Sequence, residues 1–240
     1  MIYNQNMTVE EIIQQSVKDA KLSNQQARRS WVRKMLNYYG GNGTNKYIKE
    51  YFSSSAFQEV PCYNANFTRR FINKMSRIYT VGTSRNVSNQ YDILTVKKDA
   101  RFKHVERMTR LMGTVATQII YKELNGVPYF DYRPVYYFNV HLSDPFTPSA
   151  IMYPLLMKPD DISFADKCEW AYWDEAIYAH YDEDGNIIEE YEHGYGILPF
   201  VFTHREEQID EFFVDGANDI VDCNEQVNIA MTEMQLGLRF

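Results

Sequence analysis

The sequence predicts an α+β fold: N-terminal helices, then a mostly antiparallel sheet of hairpins with packed helices, ending in an amphipathic helix. Three observations carry this. Up to Gly113, apolar residues recur at helical spacing behind recognisable caps. From Val115 the texture changes to β-branched and aromatic runs separated by Asn-Gly, Asp-Pro and Asp-Gly turns. After Asp219 helical spacing returns. The chain has 240 residues, 45% of them hydrophobic, enough for one substantial core.

Thr8-Val9-Glu10-Glu11 is a capping box, in which the threonine oxygen takes the Glu11 amide and the Glu11 carboxylate reaches back. A helix over 9–21 follows, with Val9, Ile12, Ile13, Val17 and Ala20 on one face. Ser23 opens a second, striped by Ala27, Trp31, Met35 and Tyr38 and stopped by Gly40-Gly41. Thr44 is placed to cap a short third helix packing through Tyr47, Ile48, Tyr51 and Phe52. Residues 1–58 are thus expected to form a helical arm and residues 59–240 an α+β body. The body should open with a helix burying Phe67, Phe71, Met75 and Ile78 and ending at Gly82, with Arg69, Arg70, Lys74 and Arg77 elsewhere around it. An extended piece over 90–95 leads to a helix over 97–112, which buries Phe102, Val105, Met108 and Met112 and wets Arg101, Lys103, Arg107 and Arg110.

Val115–Tyr121, the Asn125-Gly126 turn and Val127–Tyr132 predict a hairpin with a type I′ turn. Val135–Leu142 is expected to be one further strand, and Ile151–Met157 an edge strand because Pro154 interrupts it. Trp170–Tyr181 and Ile187–Tyr191 should pair about Asp184-Gly185, and Ile197–Thr203 is a short apolar strand. The final helix is expected to be capped by Asp219 and to bury Ile220, Cys223, Val227, Ala230, Met231, Met234 and Leu238. An amphipathic run reaching Phe240 suggests that the natural protein continues beyond it.

The net charge of −7 conceals a strong asymmetry. Residues 1–125 carry 20 Lys and Arg against 9 Asp and Glu, and residues 126–240 carry 5 against 23. The halves are therefore +11 and −18, which points to complementary interaction surfaces. No run of apolar residues approaches bilayer length, and the first residues lack the order of a secretory leader, so neither membrane nor secretion is expected. Cys62, Cys168 and Cys223 stand far apart and suggest small buried thiols, with no disulfide framework or zinc site.

Sequence motifs for chemistry are few. His104, His141, His180, His193 and His204 have no metal-ligand spacing, and there is no nucleophile elbow, P-loop or dinucleotide fingerprint. Asp182-Glu183-Asp184-Gly185-Asn186 resembles part of a calcium loop but resumes a strand at once, and so reads as a hairpin turn. Asp160-Asp161 and Glu206-Glu207 are acidic pairs of the kind a metal-dependent nuclease uses. The 19 tyrosines and 14 phenylalanines fall mostly at core or strand positions, with base stacking the alternative.

Three stretches, in order, resemble portal proteins of tailed bacteriophages, specifically their N-terminal wing region. One is the helix Asn66-Phe67-Thr68-Arg69-Arg70-Phe71-Ile72-Asn73-Lys74-Met75-Ser76-Arg77-Ile78-Tyr79-Thr80-Val81-Gly82. Another is the helix-to-strand joint Leu111-Met112-Gly113-Thr114-Val115-Ala116, followed by a hairpin and an Asp-Pro loop. The third is Gly196-Ile197-Leu198-Pro199-Phe200-Val201-Phe202, followed by Gly216-Ala217-Asn218-Asp219-Ile220-Val221-Asp222-Cys223-Asn224. The resemblance covers residues 60–240. It implies a structural subunit, not an enzyme, of a ring that is usually dodecameric and stands at one capsid vertex of the virion. That ring is assembled in the host cytoplasm, serves DNA packaging, ejection and head–tail joining, and passes double-stranded DNA through its channel. Capsid protein, terminase and head-completion proteins are the implied partners, no cofactor is implied, and the family's stem, clip and crown would follow this region. With the charge asymmetry, it leads to the expectation that Arg101, Arg107 and Arg110 face acidic residues between Asp160 and Asp222 of a neighbouring subunit. The alternatives are a phage-encoded metal-dependent nuclease or hydrolase on the acidic half, and a non-catalytic nucleic-acid-binding adaptor using the basic helices.

Overall fold

The computed structural model describes residues 7–52, 61–79, 99–155 and 167–238, with residues 84, 86 and 88. Six helices are present among them: α1 (Val9–Ala20), α2 (Ser23–Gly40), α3 (Asn45–Tyr51), α4 (Phe67–Met75), α5 (Asp99–Met112) and α6 (Asn218–Gly237). The strands are β1 (Thr114–Leu124), β2 (Val127–Val135), β3 (Asn139–Leu142), β4 (Pro148–Pro154), β5 (Trp170–Trp173), β6 (Ile177–Tyr181), β7 (Ile187–Glu192) and β8 (Phe200–His204). They form two antiparallel sheets, β2-β1-β8 and β3-β4-β5-β6-β7. The protein is α+β.

Local chemistry sets several elements as expected. The Thr8 amide donates to Glu11 Oε2 at 2.8 Å and the Glu11 amide to Thr8 Oγ1 at 3.3 Å, which closes the capping box of α1. Gly41, at φ +76°, ends α2 in the left-handed conformation that a β-carbon disfavours. Asn125 at φ 53° and Gly126 at φ 77° make the β1–β2 connection a type I′ turn, with Leu124 opposite Val127. One hydrophobic cluster joins Ile13, Val17 and Ala20 of α1, Val32, Met35 and Tyr38 of α2, Met108 and Leu111 of α5, and Met152, Trp170, Tyr172 and Tyr181 of the larger sheet.

Tertiary packing overrides the sequence expectation at particular places. Along α2 the buried positions are Arg29, Val32, Met35 and Tyr38, while Ala27 is exposed and Trp31 half-buried. The turn admits Arg29 because its Nη1 donates to the Ala20 carbonyl at 2.7 Å. The expected strand Val135–Leu142 is broken at Tyr136-Tyr137-Phe138, where the chain passes from one sheet to the other. Tyr137 and Phe138 are buried there, and Arg28 Nη2 donates to the Phe138 carbonyl at 2.9 Å. Strand β4 lies between β3 and β5, not at an edge, because Pro154 is its last residue. Trp170–Tyr181 is two strands, turned by Asp174, whose Oδ1 accepts from the Ala176 and Ile177 amides. Strand β8 starts only at Phe200, and Ile197 is exposed.

Two helices turn their apolar stripes outward. On α4 the buried residues are Thr68 and Ile72, while Phe71 and Met75, and Ile78 just beyond, face solvent; the helix ends at Met75. On α6 the buried face is Val221, Asn224, Asn228, Thr232 and Leu236, and Cys223, Val227, Ala230, Met234 and Leu238 are exposed. Ala217, not Asp219, is the N-cap of α6. The expected extended piece over 90–95, the stop at Gly82 and the Asp160-Asp161 pair lie outside the described residues. None of the three cysteines is fully buried, and Cys223 is exposed.

Candidate functional site

The second and third portal-like stretches meet at a junction built on two glycines. The Gly113 amide closes α5 on the Thr109 carbonyl at 2.9 Å, and Gly113 then turns at φ +83° into β1. A β-carbon there would overlap the Val214 carbonyl. Across the junction, a β-carbon on Gly216 would overlap the Leu111 carbonyl and approach the Trp31 ring to 2.8 Å. The close approach lets the backbones bond directly: Ala217 N–H donates to Leu111 O at 2.9 Å and Arg205 N–H to Gly113 O at 2.8 Å. Arg205 Nη1 donates to the Gly216 carbonyl at 2.7 Å, and the Val214 amide donates to Thr114 Oγ1 at 2.9 Å. Sequence reasoning placed these glycines at element ends and Trp31 on a helix stripe, but did not bring Trp31 to the junction and missed Arg205, because their partners are distant along the chain.

The first portal-like stretch is tied to the third through α6. Asn224, Asn228 and Thr232 stand one helical turn apart and accept the alternate amides of Phe67, Ala65 and Tyr63 at 2.7, 2.9 and 3.0 Å. Asn228 Nδ2 also donates to the Ala65 carbonyl at 3.3 Å. An extended backbone repeats every two residues over roughly the same distance as one helical turn, which is why this polar ladder matches its register.

Beside the junction, α5 and the β1–β8 pair enclose a mainly apolar cleft of about 380 Å³, lined among others by Ile78, Phe102, Glu106, Arg110, Thr203 and Arg205. Glu106 is 8% exposed; its Oε1 accepts from the Ile78 amide at 3.3 Å, while its Oε2 has no hydrogen-bond partner among the described residues. Thr109 and Thr203 hydroxyls lie 2.7 Å apart in its wall.

The three arginines singled out on α5 have different surroundings. Arg101 is exposed, whereas Arg107 and Arg110 are half-buried, and Arg110 lines the cleft. Burial, together with the charges of Arg101 and Arg107, holds His104 below the ordinary histidine range; its Nε2 lies 2.7 Å from the Tyr136 hydroxyl. Burial likewise lowers His141 and His204. The histidines serve separate local contacts, such as His180 with Glu169 at 2.8 Å and His204 Nδ1 with Thr114 Oγ1 at 3.1 Å. Asp182 spends its carboxylate on the Asp184 and Asn186 amides and the Asn186 side chain, so the calcium-like sequence is a hydrogen-bonded hairpin turn. Those bonds depress its pKa, led by the Asn186 side chain. Among the described residues no group of three or more His, Cys, Asp or Glu could hold a metal ion, and no helix is long and apolar enough to cross a membrane. The exposed Glu206-Glu207 pair therefore has no assembled metal site around it.

Compared with known proteins, the chain matches no family model and no curated protein.

Proposed function

We propose that this chain is a structural subunit of a portal-type ring at a phage capsid vertex, serving DNA packaging and ejection and head–tail joining. The observation that carries the reading is that the three portal-like stretches are joined in space, the second to the third at Gly113 and Gly216 and the first to the third at Phe67 and Asn224. Gly113 lies against the Val214–Asp215 backbone and Gly216 against the Leu111–Met112 backbone, and α6 binds the segment leading into α4. Glycines that must be glycine because another backbone lies against them form a packing requirement, which ties the sequence resemblance to one three-dimensional feature. In this reading the partners are further copies of the chain, capsid protein, terminase and head-completion proteins, with double-stranded DNA in the channel. Arg101, the exposed member of the α5 trio, is offered to acidic residues of a neighbour, and Arg107 and Arg110 contribute from its half-buried side.

Electron microscopy of the protein expressed from its complete reading frame tests this. Closed rings with an axial channel are expected. Monomers at every concentration, or magnesium- or manganese-dependent cleavage of duplex DNA abolished by single Asp or Glu substitutions, would overturn it.

A further inference from the structure

Helices α4 and α6 each bury polar residues beside a few apolar ones and leave an apolar stripe exposed, unlike an ordinary surface helix. On α4, Phe71 is 54% and Met75 48% exposed, and Ile78 beyond its end 64%. On α6, Val227 is 37%, Met234 60% and Leu238 86% exposed, in line with Cys223 and Ala230. The spacing 223, 227, 230, 234, 238 alternates mainly between three and four, the period that keeps a stripe facing one partner helix. Neither helix can roll to hide its stripe. Rolling α6 would strip the Tyr63, Ala65 and Phe67 amides of their Thr232, Asn228 and Asn224 acceptors, and α4 begins at one of those amides, held by the same ladder.

Charge selects the occupant. Residues 67–79 carry Arg69, Arg70, Lys74 and Arg77 and no acidic residue, whereas residues 218–237 carry Asp219, Asp222, Glu225 and Glu233 and no basic one. Like stripes brought together would set acid against acid or base against base, and only α4 against α6 encloses apolar side chains in opposite charges. Within one chain these two helices already touch through their other faces, at the Phe67–Asn224 bond. The outward faces are therefore available to another molecule. At 1.5 Å per residue the α6 stripe is about 22 Å long and the Phe71–Met75 face of α4 about 6 Å, with Ile78 just past the helix end, so α4 seats on part of the α6 stripe.

We propose that the Phe71–Met75 face of α4 in one copy, with Ile78 just beyond it, seats on the Cys223–Val227–Ala230–Met234–Leu238 stripe of α6 in a second copy, the positive charge of Arg70 and Lys74 set against the negative charge of Asp219 and Glu233 that flank that stripe. The inference rests on the ring-subunit reading and names the subunit contact within it. The contact joins two unlike patches, so it repeats from subunit to subunit, as a ring requires.

The test is a charge exchange read by native mass spectrometry and light scattering on the full-length protein. The double variants Arg70→Glu/Lys74→Glu and Asp219→Lys/Glu233→Lys should each associate at least tenfold more weakly than the parent, since each sets like charges face to face. Mixed one to one, they should form heterodimers, because one variant's acidic α4 meets the other's basic α6. Parent association should also weaken as salt rises. Arg70 and Lys74 lie on α4 and Asp219 and Glu233 on α6, all four exposed, and unchanged circular dichroism and melting in both variants certify that they fold. Parent-like oligomers in both double variants, or variants that fail to pair on mixing, would overturn the contact. Rings that persist in both variants defeat this contact and leave the ring reading standing; pairing restored by mixing in a parent that never closes rings defeats the ring reading and leaves the contact.

Discussion

Substituting Asn228 by leucine separates the two possible orientations of α6. In the structure Asn228 is fully buried and holds Ala65 twice, accepting its amide at 2.9 Å and donating to its carbonyl at 3.3 Å. Leucine has a similar branched shape in a larger volume and makes neither bond. A net hydrogen bond contributes about 1 kcal/mol, and a backbone group left buried and unsatisfied costs about 1–3 kcal/mol. Leucine's greater apolarity offsets part of the loss, so a net destabilisation of about 2–4 kcal/mol is expected. For a chain of this size each kcal/mol lowers Tm by roughly 2–4 °C, so the melting temperature should fall by about 5–15 °C. The companion variant Val227→Gln changes an exposed side chain, and a surface change of this kind is usually within about 0.5 kcal/mol. The sequence periodicity alone predicts the opposite ranking, with Val227 in the core and Asn228 in water. Calorimetry, with urea melts to check that the m-value is unchanged, reads both. An Asn228→Leu protein that melts with the parent, or a Val227→Gln protein that falls further, would refute the orientation of α6 and the docking contact with it.

At the junction, Gly113→Ala combines a left-handed φ with overlap on the Val214 carbonyl, and should cost about 3 kcal/mol or more in chemical denaturation, against about 1–2 kcal/mol for φ strain alone. Gly126→Val isolates the strain, because nothing lies within 4 Å of a β-carbon there; a loss of about 1 kcal/mol or more should appear in the melting temperature without altered association. The pH dependence has a definite sign. His104, His141 and His204 are lowered in the folded state, so the unfolded chain binds protons first, and stability present above about pH 6.5 is lost as pH falls through the unfolded value. Urea midpoints should therefore drop from pH 7 to pH 5, more gently in His104→Gln, whereas Asp144 and Asp182, lowered by their hydrogen bonds, act only below about pH 4. A midpoint that rises over pH 7 to 5 would show that these histidines gain protons on folding.

What the sequence by itself determined is what neighbours along the chain decide. The capping box at Thr8 and Glu11, the stop at Gly41, the type I′ turn at Asn125-Gly126 and the change from helices to strands after Gly113 each depend on a few adjacent residues. So does the hydrogen-bonded turn at Asp182. Tertiary structure decided which face of a helix is inside. Periodicity locates an apolar stripe but cannot say whether another polar backbone will claim the opposite face, as the segment 61–67 claims Asn224, Asn228 and Thr232. The same holds for Arg29, buried because the Ala20 carbonyl awaits it, for Arg28, half-buried against the Phe138 carbonyl, and for Pro154, which ends an internal strand where its missing donor costs nothing to the ladder. In the portal-like stretches, glycine at 113 and 216 was visible as punctuation; that each lies against the backbone next to the other was not, because the approach joins positions about a hundred residues apart. Local chemistry is written in short windows, whereas burial is a property of the partner surface, and the partner is elsewhere in the chain.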